Sequence, residues 1–298
     1  MPDPVILGSQ ALTLRDTAEA ARDKSGNLKA TILDFVSEEN GCMDDMTFMR
    51  ADNGDKLSTD FLNELPHGHF VALGEGVPAD KAGLHVLFVP SEEPYHKRKV
   101  TLLNGPHTVL SPVAFLSGVN IVRDACQHEV IGKYIHKVQF DELMQTLDLP
   151  MDELEKFAGD VLERFDNPFV DHQVTSIMLN SFPKFQARDL PGVKTYLERK
   201  GELPKGLVFG LAAIITYYKG GKRADGTDII PNDDPKIMQL LADLWATGDT
   251  QKVADGVLAA DFIWQEDLNK VKGLNALVKQ YLDLIQQVGM LEAVKTIL

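Results

Sequence analysis

Leu207 to Tyr218 (LVFGLAAIITYY) runs for twelve residues without a charge, and no other feature constrains this chain so tightly. A helix over such a run has no polar face, which only a helix surrounded by other elements tolerates. Twelve residues are too few to span a bilayer, so the run predicts a buried central helix and not a membrane anchor. The sequence from about residue 94 onward keeps a helical period almost throughout. Val122, Cys126, Val130, Tyr134 and Val138 recur as one helix face. Leu154, Phe157, Val161 and Phe165 do the same, and Asp152 with Glu155 offers a capping-box-like start. Leu274, Leu277, Tyr281, Ile285 and Val288 make a last stripe. Asn167-Pro168, Leu203-Pro204 and the loop Gly220 to Pro235 punctuate these helices.

Before residue 90 the character differs. Leu28 to Val36, His69 to Leu73 and Leu84 to Val89 read as short strands. Thr47 to Ser58 centres on Asn53-Gly54, a dipeptide that favours the positive φ of a tight hairpin turn. Only Thr13 to Asp23 looks helical there. The expectation is a mainly α chain, with a small strand-containing N-terminal part followed by a large helical domain.

Charge and composition narrow the function. Thirty Lys and Arg against 44 Asp and Glu give a net charge of −14. Nucleic acid is therefore not the expected partner, because phosphate binding needs a cationic face. Two cysteines, Cys42 and Cys126, make no disulfide framework and suggest a reducing compartment. The start MPDPVILGSQ lacks the basic and apolar regions of a signal peptide, so a cytoplasmic location is expected.

Several possible sites fail on spacing. Gly74-Glu75-Gly76-Val77-Pro78-Ala79 fits G-x-G-x-x-A, but Gly83 and the next apparent strand follow too soon for a crossover helix. His67-Gly68-His69 has no adjoining Cys or carboxylate cluster, and His128 and His136 lack a third ligand, so no metal is expected. Neither cysteine has a C-x-x-C partner, and no catalytic thiol is expected.

The segment Tyr95 to Thr108 (YHKRKVTLLNGPHT) is different, placing Lys99, Asn104 and His107 within nine residues among apolar side chains. A lysine buried among cations exchanges a proton more readily, an Asn amide can donate to a developing oxyanion, and a His can hold a substrate oxygen. Asn104 and His107 share a helix face, whereas Lys99 in a straight helix does not. A bend near Gly105-Pro106 or the lysine's long reach must close the set. From the residue chemistry alone, a basic surface patch ending in a turn is the favoured reading.

Lys99, Asn104 five residues on and His107 three further resemble the K-x(4)-N-x(2)-H signature of the polyol-specific long-chain dehydrogenases. These are the mannitol dehydrogenase family, which includes hexuronate reductases. The resemblance extends through GLHVLFVPSEEPYHKRKVTLLNGPHT, LERFDNPFVDHQVTSIMLNSFPKF, LVFGLAAIITYYKG and VGMLEAVKTIL, over roughly residues 68–298. It implies a multi-helical substrate domain over 68–298, preceded by a segment of unassigned type, 1–67, that lacks a complete Rossmann unit. It implies an NAD-dependent oxidoreductase of the hexuronate pathway that reduces tagaturonate, a small sugar acid, to altronate. Lys99 would be the general acid and base, Asn104 the oxyanion donor, and His107 the group that orients the substrate. Lys184, in Phe182-Pro183-Lys184-Phe185, matches a second substrate-binding lysine. His172, Asn180 and Arg188 lie near the same stretch, and Arg188 could pair with a carboxylate. Mannitol dehydrogenases carry an arginine eight residues before that lysine; Ser176 stands there in this chain, which favours a uronate over a neutral polyol. Fructuronate or mannitol oxidoreduction is the alternative activity. A non-catalytic remnant without a cofactor domain is the alternative class, since no NAD-binding residues are recognisable.

Overall fold

The computed structural model describes residues 30–33, 46–51, 56–60, 70–72, 86–88 and 93–298. The chain divides into two compact units, Met1–His96 and Lys97–Leu298.

In the first unit, β1 (Ala30–Leu33), β2 (Met46–Ala51), β3 (Lys56–Asp60), β4 (Phe70–Ala72) and β5 (Val86–Phe88) form one sheet in sequence order. The strands flanking Asn53-Gly54 pair antiparallel, with Arg50 opposite Lys56, as that dipeptide predicts. β4 and β5 pair in parallel. Two short apolar runs carry no signal of strand direction, so this pairing was not readable from them. The connecting residues 73–85, with the Gly74–Ala79 turn, lie outside the described residues. So do the Thr13–Asp23 segment, Cys42, His67 and His69.

The second unit is helical apart from a small hairpin, β6 (Gly221–Lys222) with β7 (Asp228–Ile229). Its helices are α1 (Glu93–Lys99), α2 (Gly105–Leu116), α3 (Val122–Gln127), α4 (Glu129–His136), α5 (Met151–Phe165), α6 (Val174–Ile177), α7 (Ser181–Arg188), α8 (Leu190–Lys200), α9 (Lys205–Tyr217), α10 (Pro235–Ala246), α11 (Thr250–Leu258), α12 (Asp261–Trp264), α13 (Leu274–Val288) and α14 (Met290–Lys295). Among the described residues no helix is long and apolar enough to cross a membrane. The apolar run forms α9, and from Leu207 to Tyr218 only Thr216 escapes full burial. α9 packs on α2 and α13, so the element without a polar face occupies the centre.

Three local expectations are corrected. The face Val122 to Val138 is not one helix: it breaks at His128, whose backbone is extended and whose Nδ1 accepts from the N–H groups of Val130 and Ile131. His128 thus acts as an N-cap, a task that periodicity does not reveal. α5 starts from Pro150 with no side-chain cap, so Asp152 and Glu155 make no capping box. Asp152 lies in the first turn and acts only through the helix dipole. On α13, Val278 and Leu282 join Leu274, Tyr281 and Ile285 in the core, whereas Leu277 is half-buried and Val288 exposed. The buried stripe therefore takes in Val278 and Leu282 in place of Leu277 and Val288.

The start of α9 carries an ionisable cap from far along the chain. Glu142 accepts from Gly206 N–H at 2.7 Å and Leu207 N–H at 2.8 Å. A Cβ on Gly206 would come within 3.0 Å of Glu142 Oε2, so a glycine is needed there. Burial pushes the Glu142 carboxyl up to about 7 from 4.5, against the pull of the two N–H donors. A raised folded value means that the native state holds a proton that the unfolded chain releases, so this group's contribution falls as pH rises. Between pH 4.5 and 7 the loss is about 3 kcal/mol. Urea unfolding at a series of pH values should therefore show a decline with pH that Glu142→Gln flattens. An identical pH profile in the variant would refute the assignment.

Candidate active site

The site forms where α1 passes into α2. Between them, Val100–Asn104 is a π-helical turn, closed by a Gly105 N–H to Val100 carbonyl bond. In an uninterrupted α-helix Lys99 and Asn104 would lie about 140° apart. In i→i+5 register residues five apart stack on one side of the axis, and π-bulges of this kind recur at functional sites. The π-turn therefore resolves the facing problem of Lys99, and no bend at Gly105-Pro106 is required. α-Helical register resumes at Gly105, keeping Asn104 and His107 on a common side.

Lys99 is 1% exposed and Asn104 7% exposed, so neither belongs to a basic surface patch. The Asn104 amide makes no hydrogen bond among the described residues, and its carbonyl accepts from Thr108 Oγ1 at 2.9 Å. Arg188 Nη1 reaches the same hydroxyl at 3.5 Å, tying the end of α7 to α2. His107 stacks on Phe165, centroids 3.9 Å apart, and meets the His172 ring edge-on at 5.5 Å. Its Nε2 is buried with no hydrogen-bond partner. Burial holds the His107 imidazole well below its ordinary value, and His172, Arg188, Lys99 and Lys184 each add to that effect. His107 is thus neutral at pH 7, with one ring nitrogen free to serve a ligand.

The structure brings Lys99, His172, Lys184 and Arg188 within electrostatic reach of His107, and Asn104 precedes His107 by three residues. Lys184 is 3% exposed and donates to the Ile177 carbonyl at 3.0 Å. Asn180 starts α7 in the left-handed conformation (φ 51°, ψ 52°), and its N–H donates to the Asn232 carbonyl. Ser176 is exposed and spends its hydroxyl on the Gln173 carbonyl, so α6 supplies no cation. The guanidinium comes from Arg188 instead. Behind the junction, a Cβ on Gly105 would lie 2.8 Å from Asp189 Oδ1. Burial pushes the Asp189 carboxyl well above its ordinary range, with Arg188 pulling the other way, so its neutral form is favoured. Burial first, then the Asp166 charge, push the Cys126 thiol up to about 12, which leaves it inert.

Phe165, Thr108 and Asp189 were not identified from sequence. Phe165 read as one member of an apolar stripe, and nothing local distinguishes a ring that stacks on imidazole from one that fills a core.

The mannitol dehydrogenase C-terminal domain matches residues 92–286. The chain belongs to the mannitol dehydrogenase family. Within it, the chain is 80% identical over 221 residues to an altronate oxidoreductase of Bacteroides thetaiotaomicron, covering 74% of this chain and 46% of that protein. It is 38% identical over 225 residues to an altronate oxidoreductase of Bacillus subtilis, covering 75% and 45% respectively. The fold resembles Pseudomonas fluorescens mannitol 2-dehydrogenase, solved as a ternary complex with NAD and D-mannitol. That likeness has a TM-score of 0.68 at 20% identity, over 78% of this chain and 46% of that one. The chain spans about half the length of the relatives it matches.

Proposed function

We propose that this chain carries the substrate-binding and proton-transfer half of an NAD-dependent hexuronate reductase, which reduces tagaturonate to altronate. The observation that carries the proposal is the company His107 keeps: two lysines, an arginine and a histidine act on it. Cationic side chains gathered round one imidazole suit a carboxylated sugar better than a neutral polyol. Similarity to proteins named altronate oxidoreductase supports the same substrate class.

In this reading Lys99 gives a proton to the alkoxide that forms as the ketone is reduced, and Asn104 donates its amide to the developing oxyanion. Neutral His107 orients a substrate hydroxyl or carbonyl through Nε2. Lys184 and His172 bind hydroxyls, and Arg188 pairs with the carboxylate. Asn180, at the start of α7, is a further candidate for binding a substrate hydroxyl. NAD would supply the hydride chemistry. Among the described residues no strand runs through a glycine-rich turn into a helix, so they do not fit a dinucleotide, and its cradle must be supplied from elsewhere. Residues 68–298 would then act as one substrate domain after a separate segment 1–67.

Two measurements test this. Calorimetric titration with tagaturonate and with NADH asks whether the chain holds each alone; sugar-acid binding is expected. Failure to bind the sugar acid would leave the reading of a non-catalytic remnant. Initial rates on tagaturonate, fructuronate and fructose should rank tagaturonate first. The rates are to be taken in a chimera that carries this chain's matched segment within the Bacteroides relative. Preference for fructose would defeat the uronate assignment.

A further inference from the structure

The π-turn leaves backbone groups that α-helical bonding would have used. Leu102 is fully buried, and the residue four places after it is Pro106, which has no N–H to offer its carbonyl. In place of that donor comes Gln139, from a second π-helical stretch, Lys137–Leu143, whose own Gln139 carbonyl accepts from Met144 N–H. Gln139 Nε2 donates to the Leu102 carbonyl at 2.8 Å and also reaches the Ala158 carbonyl of α5 at 3.4 Å. Gln139 is 0% exposed, so no water can replace it. One side-chain amide therefore ties the turn that follows Lys99 to a stretch 37 residues away and to α5.

We propose that Gln139 is the positioning residue of this site: by satisfying the Leu102 carbonyl it holds Val100–Asn104 in π register, and so holds Lys99 on the side of Asn104 and His107. A buried carbonyl without a donor is costly. Pro106 denies that carbonyl a donor in α register as well, so without Gln139 the turn must shift to find one, and Lys99 at its head shifts away from the other two groups. Gln139 touches no substrate; it acts through the backbone. The inference deepens the proposed function and rests on it for the role of Lys99, but the geometry it asserts can be tested without substrate.

The experiment compares the full chain with Gln139→Met, of similar volume but with no donor, and Gln139→Glu, whose buried carboxyl can donate while protonated. The first readout is the His107 imidazole titration by NMR, because the groups that face it are His172, Arg188, Lys99 and Lys184. Departure of the Lys99 ammonium should raise it in Gln139→Met and leave it near wild type in Gln139→Glu below neutral pH. The second readout is calorimetric titration with tagaturonate. Affinity should fall about tenfold in Gln139→Met, the worth of one hydrogen bond to a charged group. Wild-type His107 titration in Gln139→Met would overturn the inference. Equal displacement in both variants would do so too, since that would indicate shape and not the donor. If Gln139→Met does not fold, Gln139→Glu decides alone: a wild-type titration supports the donor, and a displaced one overturns it. If the wild-type chain binds no sugar acid, the proposed function fails while the His107 titration still decides this point.

Discussion

Lys99→Ala should lower kcat by a factor on the order of 10²–10⁴ in the Bacteroides chimera, with thermal stability checked in parallel. The ketone becomes a strong base as hydride arrives, and its proton must come from a group held about 3 Å away. Lys99 is 1% exposed and acts on His107, so it meets the requirement of a group held inside the site. Lys97, two residues earlier and exposed, is the internal control. Lys97→Ala should change the rate little, since a surface cation contributes small amounts. A Lys99→Ala chimera that folds and turns over at the wild-type rate would remove the lysine from the chemistry, whatever the family membership.

Gly210→Ala should destabilise the helical unit although alanine is the better helix former. A Cβ at Gly210 would fall 2.4 Å from Val109 Cβ and 2.5 Å from its Cγ1, with Tyr134 Oη at 2.9 Å. Val109 Cβ is fixed to the backbone of α2, so a rotamer change cannot relieve the contact; α9 and α2 must separate. Overpacking of this kind costs about 1–3 kcal/mol or more, against about 1 kcal/mol gained in helix propensity. For a unit of this size each kcal/mol lowers Tm by about 2–4 °C. Val109 follows His107 and Thr108 directly, so the separation should also weaken tagaturonate binding. Calorimetric scans and titrations on one preparation would show both effects. An unchanged Tm would mean that the two helices are not in the close contact described.

Much of the architecture was legible in residue patterns. The uncharged run could only be a surrounded helix, and α9 is one. Asn53-Gly54 marked a hairpin because its backbone preference is local. Patterns of burial carry less. The face from Val122 to Val138 looked continuous because apolar spacing survives a break, whereas the break itself rests on where one His128 nitrogen points. The Asp152–Glu155 pair looked like a cap because spacing cannot say which residue has left the helix.

The site divides along the same line. Residue identity and spacing drew attention to Lys99, Asn104 and His107 but favoured a surface patch; the resemblance made them a site and added Lys184, with His172, Asn180 and Arg188 from the same stretch. Tertiary structure decided how side chains from α1, the loop before α6, and α7 come to act on the one imidazole of α2. It also decided the register that turns Lys99 toward Asn104. In that turn the buried Leu102 carbonyl meets an amide 37 residues beyond it. Helical periodicity reports which residues are buried, an average over each turn. It does not report which carbonyl bonds to which N–H, and a single displaced hydrogen bond is enough to rotate a side chain into a site or out of it.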